Sequence, residues 1–243
     1  MTQITSHHNQ KLKEIRKLRT RRRWRDRSGL FVAEGEDLLS VADAHGWTAI
    51  ERYAAVGSGL PGVSVDAEVL ASASGLGSGT RTLAVYEERW APAAVGPLCV
   101  YLHGVHDPGN VGAILRSAAA FGASCLALGP GTADPYSPKA VRASMGAIFS
   151  LALSRSEVDQ LPGAKIALVP GAGEELWRST LAYDRSSAKV LTLMIGAERD
   201  GLPGEVVAQA DHVAHIPVAT DSLNAAMAAT IALYEITRRM APE

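Results

Sequence analysis

Apolar and polar positions alternate on two different schedules along this chain. Near the start, Leu12, Ile15 and Leu18 fall at three-residue steps, which predicts a helix with one apolar face ringed by Arg and Lys. Trp24 either extends that face or stacks on a base. The segment GLFVAEGEDLLSVADAHGW then reads as strand, turn and helix, with Gly35 in the turn and Gly46 near the helix end. Val56 to Thr82 is rich in Gly, Ser and Ala with short alternating pieces, and RTLAVYEE closes the region as a strand. From Leu98 the schedule changes to an apolar run, a Gly-containing turn and a helix, repeated. The predicted strands are LCVYLHG, SCLALG, KIALVP, VLTLMIG and HVAHIPV. That alternation predicts an α/β fold, a mostly parallel sheet covered by helices. The run from Asn224 to Arg239 is apolar all around, which suits a buried helix or one at a subunit interface.

Between the two schedules lies WAPAAVGP (Trp90 to Pro97), Pro, Gly and small residues without periodicity. We place the boundary there, with an N-terminal domain at 1–92 and a C-terminal domain at 93–243.

Charge adds a direction to this division. The chain carries a formal net charge of −1, yet Lys11 to Arg27 alone is +8 and the remainder −9. Only Glu14 and Asp26 are available for local pairing in that segment, so a polyanionic partner, nucleic acid, is preferred over a merely solvated helix face. Arg16, Arg21, Arg22, Arg23 and Arg25 are the candidate contacts. Lys139 and Arg142, three residues apart, can share a helix face and are candidate phosphate contacts downstream. Cys99 and Cys125 lie in apolar runs without metal-ligand spacing and read as two buried reduced thiols. No apolar run reaches the roughly 18 residues of a membrane span, and no secretory pattern opens the chain. The expectation is a cytoplasmic protein with no metal and no membrane attachment.

The candidate chemistry sits in three turns. In DPGNVGAILRSAAAFG (Asp107 to Gly122), Asp-Pro-Gly makes the turn and Asn110 is placed to cap the next helix, which carries Arg116. In MIGAERDGLP (Met194 to Pro203), Gly196 and Gly201 permit tight backbone geometry around Glu198. In IPVATDSLNAAMAATIALYE (Ile216 to Glu235), Ser222 is a natural N-cap and Asn224 falls in the first helical turn. Turns at the carboxyl ends of parallel strands are where α/β sheets bind ligands.

In this order and spacing the three segments resemble the SpoU (TrmH) branch of the SPOUT methyltransferases. The resemblance covers nearly the whole chain. It implies transfer of a methyl group from S-adenosylmethionine to a ribose 2′-oxygen of RNA, and a C-terminal domain holding a deep trefoil knot. It assigns Asn110, Arg116, Glu198, Ser222 and Asn224 to the active site. It gives the cofactor to the backbone around Gly196, Ile216 and Leu223, with Val169, Pro170 and Gly171 contributing from the loop after KIALVP. It also implies a homodimer. The N-terminal part, with Asn9, Lys11, the Arg run and Glu34-Gly35, resembles the substrate-binding domain of ribosomal-RNA members, itself similar to a small ribosomal protein. Ribosomal RNA is therefore favoured over transfer RNA. The link VATD (Val218 to Asp221) is shorter than in many members.

Guanidinium scarcely deprotonates, so Arg116 is expected to orient the nucleotide and stabilise a developing alkoxide, fixed by an ion pair with Glu198, with an Arg116 deprotonated by its surroundings and acting as base the alternative. Two other classes compete. A non-catalytic RNA-binding protein has no need of all five active-site residues. A nicotinamide-type enzyme needs G-x-G-x-x-G, which neither GPG (Gly129 to Gly131) nor GAG (Gly171 to Gly173) completes.

Overall fold

A computed structural model describes residues 3–75, 79–178, 190–220 and 222–240. The first part of the chain runs α1 (Gln10–Thr20), α2 (Arg22–Ser28), β1 (Leu30–Glu34), α3 (Glu36–Ala44), β2 (Glu51–Ala55), β3 (Val63–Val65), α4 (Ala67–Ala73) and β4 (Thr82–Glu87). It continues with β5 (Leu98–Leu102), α5 (Pro108–Ala120), β6 (Cys125–Leu128), α6 (Pro138–Ala143), β7 (Ala152–Arg155) and β8 (Ala164–Leu168). The last elements are β9 (Glu174–Glu175), β10 (Leu191–Ile195), α7 (Gly204–Val207), β11 (His212–His215) and α8 (Ala225–Met240).

These elements form two compact units, residues 1–88 with 134–149, and residues 89–133 with 150–243. The change near residue 88 lies beside the predicted linker. The return of 134–149 to the first unit was not visible in the sequence.

In the first unit the sheet order is β1-β4-β2-β3, antiparallel except for the β2–β3 pair. Leu12, Ile15 and Leu18 are all buried, packed with Val32, Tyr53, Leu70 and Leu83. Burying each such side chain is worth about 1.5–3 kcal/mol, which fixes α1 on the sheet. Trp24 packs against the same cluster, with Lys17 Nζ 4.2 Å from its ring centre, so it extends the apolar face. A second cluster explains why 134–149 belongs here. Phe31 stacks against Tyr136 at 4.6 Å between ring centres, Trp47 meets Phe149 edge-on at 5.2 Å, and Tyr86 lies 5.3 Å from Phe149. Trp47 Nε1 donates to the Phe149 carbonyl at 2.8 Å.

Just before that anchor, Met145 is the one non-glycine residue with positive φ among the described residues, at 49°. It follows the C-cap Ser144 of α6, so it occupies the left-handed position where glycine is usual, and the residue is 57 % exposed.

The second unit carries a seven-stranded sheet ordered β7-β6-β5-β10-β8-β11-β9, with every pair parallel. All five predicted strands are present. The edge strands β7 and β9 were not predicted, because ALSR and the two residues Glu174–Glu175 form no apolar run. Leu98 to Leu102 and Leu191 to Ile195 are buried along their whole length, as central strands covered on both faces require. Helix α5 packs against α8, where the Ser117 and Thr230 hydroxyls meet at 2.6 Å. Residues 179–189 and Asp221 of the shortened link lie outside the described residues. Among the described residues no helix is long and apolar enough to cross a membrane.

Candidate active site

The site lies in the second unit, where the chain leaves β8, β10 and β11. The turn after β10 is the tightest. A Cβ on Gly196 would sit 2.1 Å from the Gly201 carbonyl carbon, so only glycine fits. Ala197 and Gly201 exchange both backbone hydrogen bonds at 3.0 Å, and Gly201 sits at φ 66°. This closed loop carries Glu198, half-buried, and Arg199, exposed.

A pocket opens between these strand ends and the start of α8. Val169 and Pro170 line it from the β8 turn, Gly196 and Glu198 from the β10 turn, Ile216 from the end of β11, and Ser222 and Leu223 from the approach to α8. Five of the six expected cofactor-contacting residues are therefore on its wall. Gly171 is not. It sits at φ 65° in the turn beyond Pro170, where it lets Ala172 N reach back to the Val169 carbonyl at 3.3 Å. The sequence reading missed Leu168, Ile195, Ala225 and Ala228, ordinary strand-end and helix-start residues that carry no signal of their own. It also passed over Arg199, whose charge beside Glu198 was a usable signal.

Three of the five expected active-site residues are joined by their side chains. Asn224 Nδ2 donates to Asn110 Oδ1 at 3.1 Å, and Asn110 Nδ2 donates to Glu198 Oε1 at 2.5 Å. The other end of Asn224 caps α8, its Oδ1 accepting from Ala226 N at 2.9 Å and Met227 N at 3.3 Å. Two capping expectations are thereby corrected. Asn224, not Ser222, caps α8, because the helix starts at Ala225. Asp107, not Asn110, caps α5, accepting from Gly109 N at 2.5 Å, and this frees the Asn110 amide for the site.

The expected ion pair between Arg116 and Glu198 is not formed. Glu198 is held by Asn110 instead, and Arg116 is exposed on α5. Ser222 lines the pocket but is not part of the hydrogen-bonded chain.

The expected RNA contacts separate into three groups, all within the first unit. Arg21, Arg22, Arg23 and Lys139 are exposed. Arg16 is half-buried, donating to the His7 carbonyl at 2.9 Å and to Ser72 Oγ at 3.1 Å, and Arg142 is half-buried with its Nη1 enclosed near Gly75. Arg25 leaves the set altogether. It is 4 % exposed, its Nη2 lies 2.7 Å from Asp134 Oδ2, and its Nη1 donates to the Leu18 carbonyl at 2.6 Å. A guanidinium so enclosed is a structural cation rather than a surface one.

The pocket wall suits an adenosyl group with an amino-acid tail. It offers apolar side chains for a planar base, strand-end turns that bring backbone to the wall, and a few polar groups beyond. The described residues contain no cluster of three or more metal-ligating side chains.

Comparison with known proteins agrees with this geometry. Residues 97–234 match the model of the SpoU rRNA Methylase family, and residues 9–84 match the MRM3-like substrate binding domain. An uncharacterised tRNA/rRNA methyltransferase of Synechocystis is 32% identical over 97% of this chain and 93% of its own. The 23S rRNA (guanosine(2553)-2'-O)-methyltransferase RlmP of Bacillus subtilis is 26% identical over 97% of this chain and 99% of its own. The crystal structure of an AdoMet-bound rRNA methyltransferase from Sinorhizobium meliloti superposes with a TM-score of 0.86 at 30% identity, covering 99% of both chains. With the family model spanning more than half of the sequence and full-length relatives on both comparisons, this chain belongs to the SpoU rRNA methylase family.

Proposed function

We propose that this protein methylates a ribose 2′-hydroxyl of ribosomal RNA, using S-adenosylmethionine, in the cytoplasm. The observation that carries the reading is the chain Asn224–Asn110–Glu198, whose last member forms part of the pocket wall. The cofactor supplies an electrophilic methyl on a sulfonium, and a carbon–oxygen bond forms as the carbon–sulfur bond breaks. The protein's share is alignment and electrostatics. Val169, Pro170, Gly196, Ile216 and Leu223 hold the adenosyl group. The Asn110 amide, fixed at both ends, and Ser222 position the ribose. Arg116 stabilises the alkoxide as the hydroxyl proton departs to solvent. Arg21, Arg22 and Arg23 hold the RNA through its phosphates, with Lys139, Arg16 and Arg142 as further cations of the same unit.

The active form we propose is a homodimer with the knotted C-terminal path of the family. Met227, Ile231 and Tyr234 stand exposed at helical spacing on α8, an apolar stripe that a second copy would cover.

The test pairs two measurements. Calorimetric titration with S-adenosylmethionine, with NAD as control, is expected to saturate near one cofactor per subunit. Transfer of labelled methyl to unmodified ribosomal RNA transcripts is expected from the wild type and lost in Arg116→Ala, with cofactor affinity retained. A wild type that binds RNA but not the cofactor would instead support a non-catalytic RNA-binding role.

A further inference from the structure

The pocket wall has a charge pattern that the reading above leaves unused. Among the described lining residues only Glu198, Arg199 and Ser222 carry polar side chains; the rest are Leu, Ile, Val, Ala, Pro and Gly. The single acid is already engaged by the Asn110 amide. The single cation, Arg199, is exposed and forms no ion pair with any described residue. It is carried on the loop closed by the Ala197–Gly201 hydrogen bonds, which hold its backbone.

The ligand proposed for this pocket has complementary charges. Its amino-acid tail bears one carboxylate, and that carboxylate is its only anionic group; its ammonium and sulfonium are both cationic. A guanidinium matches a carboxylate with two parallel hydrogen bonds and favours it over neutral acceptors. We infer that Arg199 binds the carboxylate of the cofactor's methionine tail, and so makes the pocket selective for the intact cofactor over adenosine thioethers lacking the tail. This rests on the cofactor reading above.

Two probes that differ only in the tail test it. S-adenosylhomocysteine keeps the carboxylate; 5′-methylthioadenosine has the same adenosyl thioether without the amino-acid part. Titrating wild type, Arg199→Ala and Arg199→Lys with each should show a loss of about two- to fivefold for S-adenosylhomocysteine in Arg199→Ala, the modest size reflecting an exposed pair. Affinity for 5′-methylthioadenosine should stay unchanged, and Arg199→Lys should recover part of the loss. Unchanged affinity for both probes overturns the assignment, whether or not methylation then shows a raised KM for RNA, which would place Arg199 on a phosphate. Equal losses for both probes also overturn it, because they mean a distorted pocket. A wild type that binds neither probe removes the cofactor reading itself, a result distinct from any produced by the variants alone.

Discussion

The side-chain amide of Asn110 donates to the carboxylate of Glu198 across 2.5 Å, joining positions 88 residues apart in the chain. Asn224, donating to the opposite end of the same amide, leaves it one orientation. Replacing Asn110 by Asp turns the donor into a second carboxylate facing Glu198. One of two carboxylates so close must hold a proton before both can stay. We expect Asn110→Asp to lose more activity at pH 8 than Asn110→Ala, and to regain part of it as the pH falls toward the carboxylate range. The pH profile of kcat checks this; a profile identical to wild type contradicts it.

Arg25 and the Arg21–Arg23 run should behave as different kinds of cation. Removing Arg25 leaves Asp134 largely buried without its partner, which costs about 3–5 kcal/mol. Arg25→Ala should therefore lower the denaturation midpoint strongly. Replacing Arg21, Arg22 and Arg23 by Gln should leave stability nearly unchanged and flatten the dependence of RNA affinity on salt, because fewer counterions are released. Denaturant titration and RNA binding at several salt concentrations separate the two.

Met145 holds a left-handed backbone with a β-carbon present. That conformation costs an L-residue about 1–2 kcal/mol, part of which glycine gives back through its freer unfolded chain. Met145→Gly should be more stable than wild type by roughly 0.5–1 kcal/mol, a rise of about 1–4 °C in Tm for a chain of this size. Met145→Ala keeps the β-carbon and should show no such gain. Thermal melts of both variants decide it.

Cys99 and Cys125 are register partners on β5 and β6, both fully buried. The hydrogen bond to Cys125, together with burial, pushes the Cys99 thiol up, away from the reactive thiolate. Ellman's reagent should find neither thiol in the native protein and both in 6 M guanidinium. Fast labelling under native conditions would show that the β5–β6 pair opens locally.

Much of this architecture could be read directly from the chain. The central strands announce themselves as apolar runs because they are covered on both faces, and the Leu12, Ile15 and Leu18 spacing gives the packing face of α1 without further information. Pocket residues such as Gly196 and Ile216 were legible through the family resemblance of the turns that carry them; the turns at parallel strand ends marked only the region. What escaped depends on partners distant in sequence. Arg25 looks like its neighbours until Asp134 is placed beside it. Asn110 and Asp107 are equally good caps as letters, and only helix geometry chooses between them. The Arg116–Glu198 pair was chemically reasonable, but an amide reached Glu198 instead.

The aromatic cluster around Phe31 has a consequence for biosynthesis. Its closing members, Tyr136 and Phe149, belong to a segment translated after β5, α5 and β6 of the other unit. At ribosomal rates of about 5–20 residues per second, the first sheet waits several seconds with its Phe31 cluster incomplete before residue 149 has even been added. A nascent chain stalled or cleaved near residue 92 would leave Phe31, Trp47 and Tyr86 without Tyr136 and Phe149, and the strongly basic α1–α2 segment would already be outside. The order of synthesis therefore ties maturation of the N-terminal unit to completion of the first half of the other, and neither can be exchanged between proteins by a single crossover at the linker.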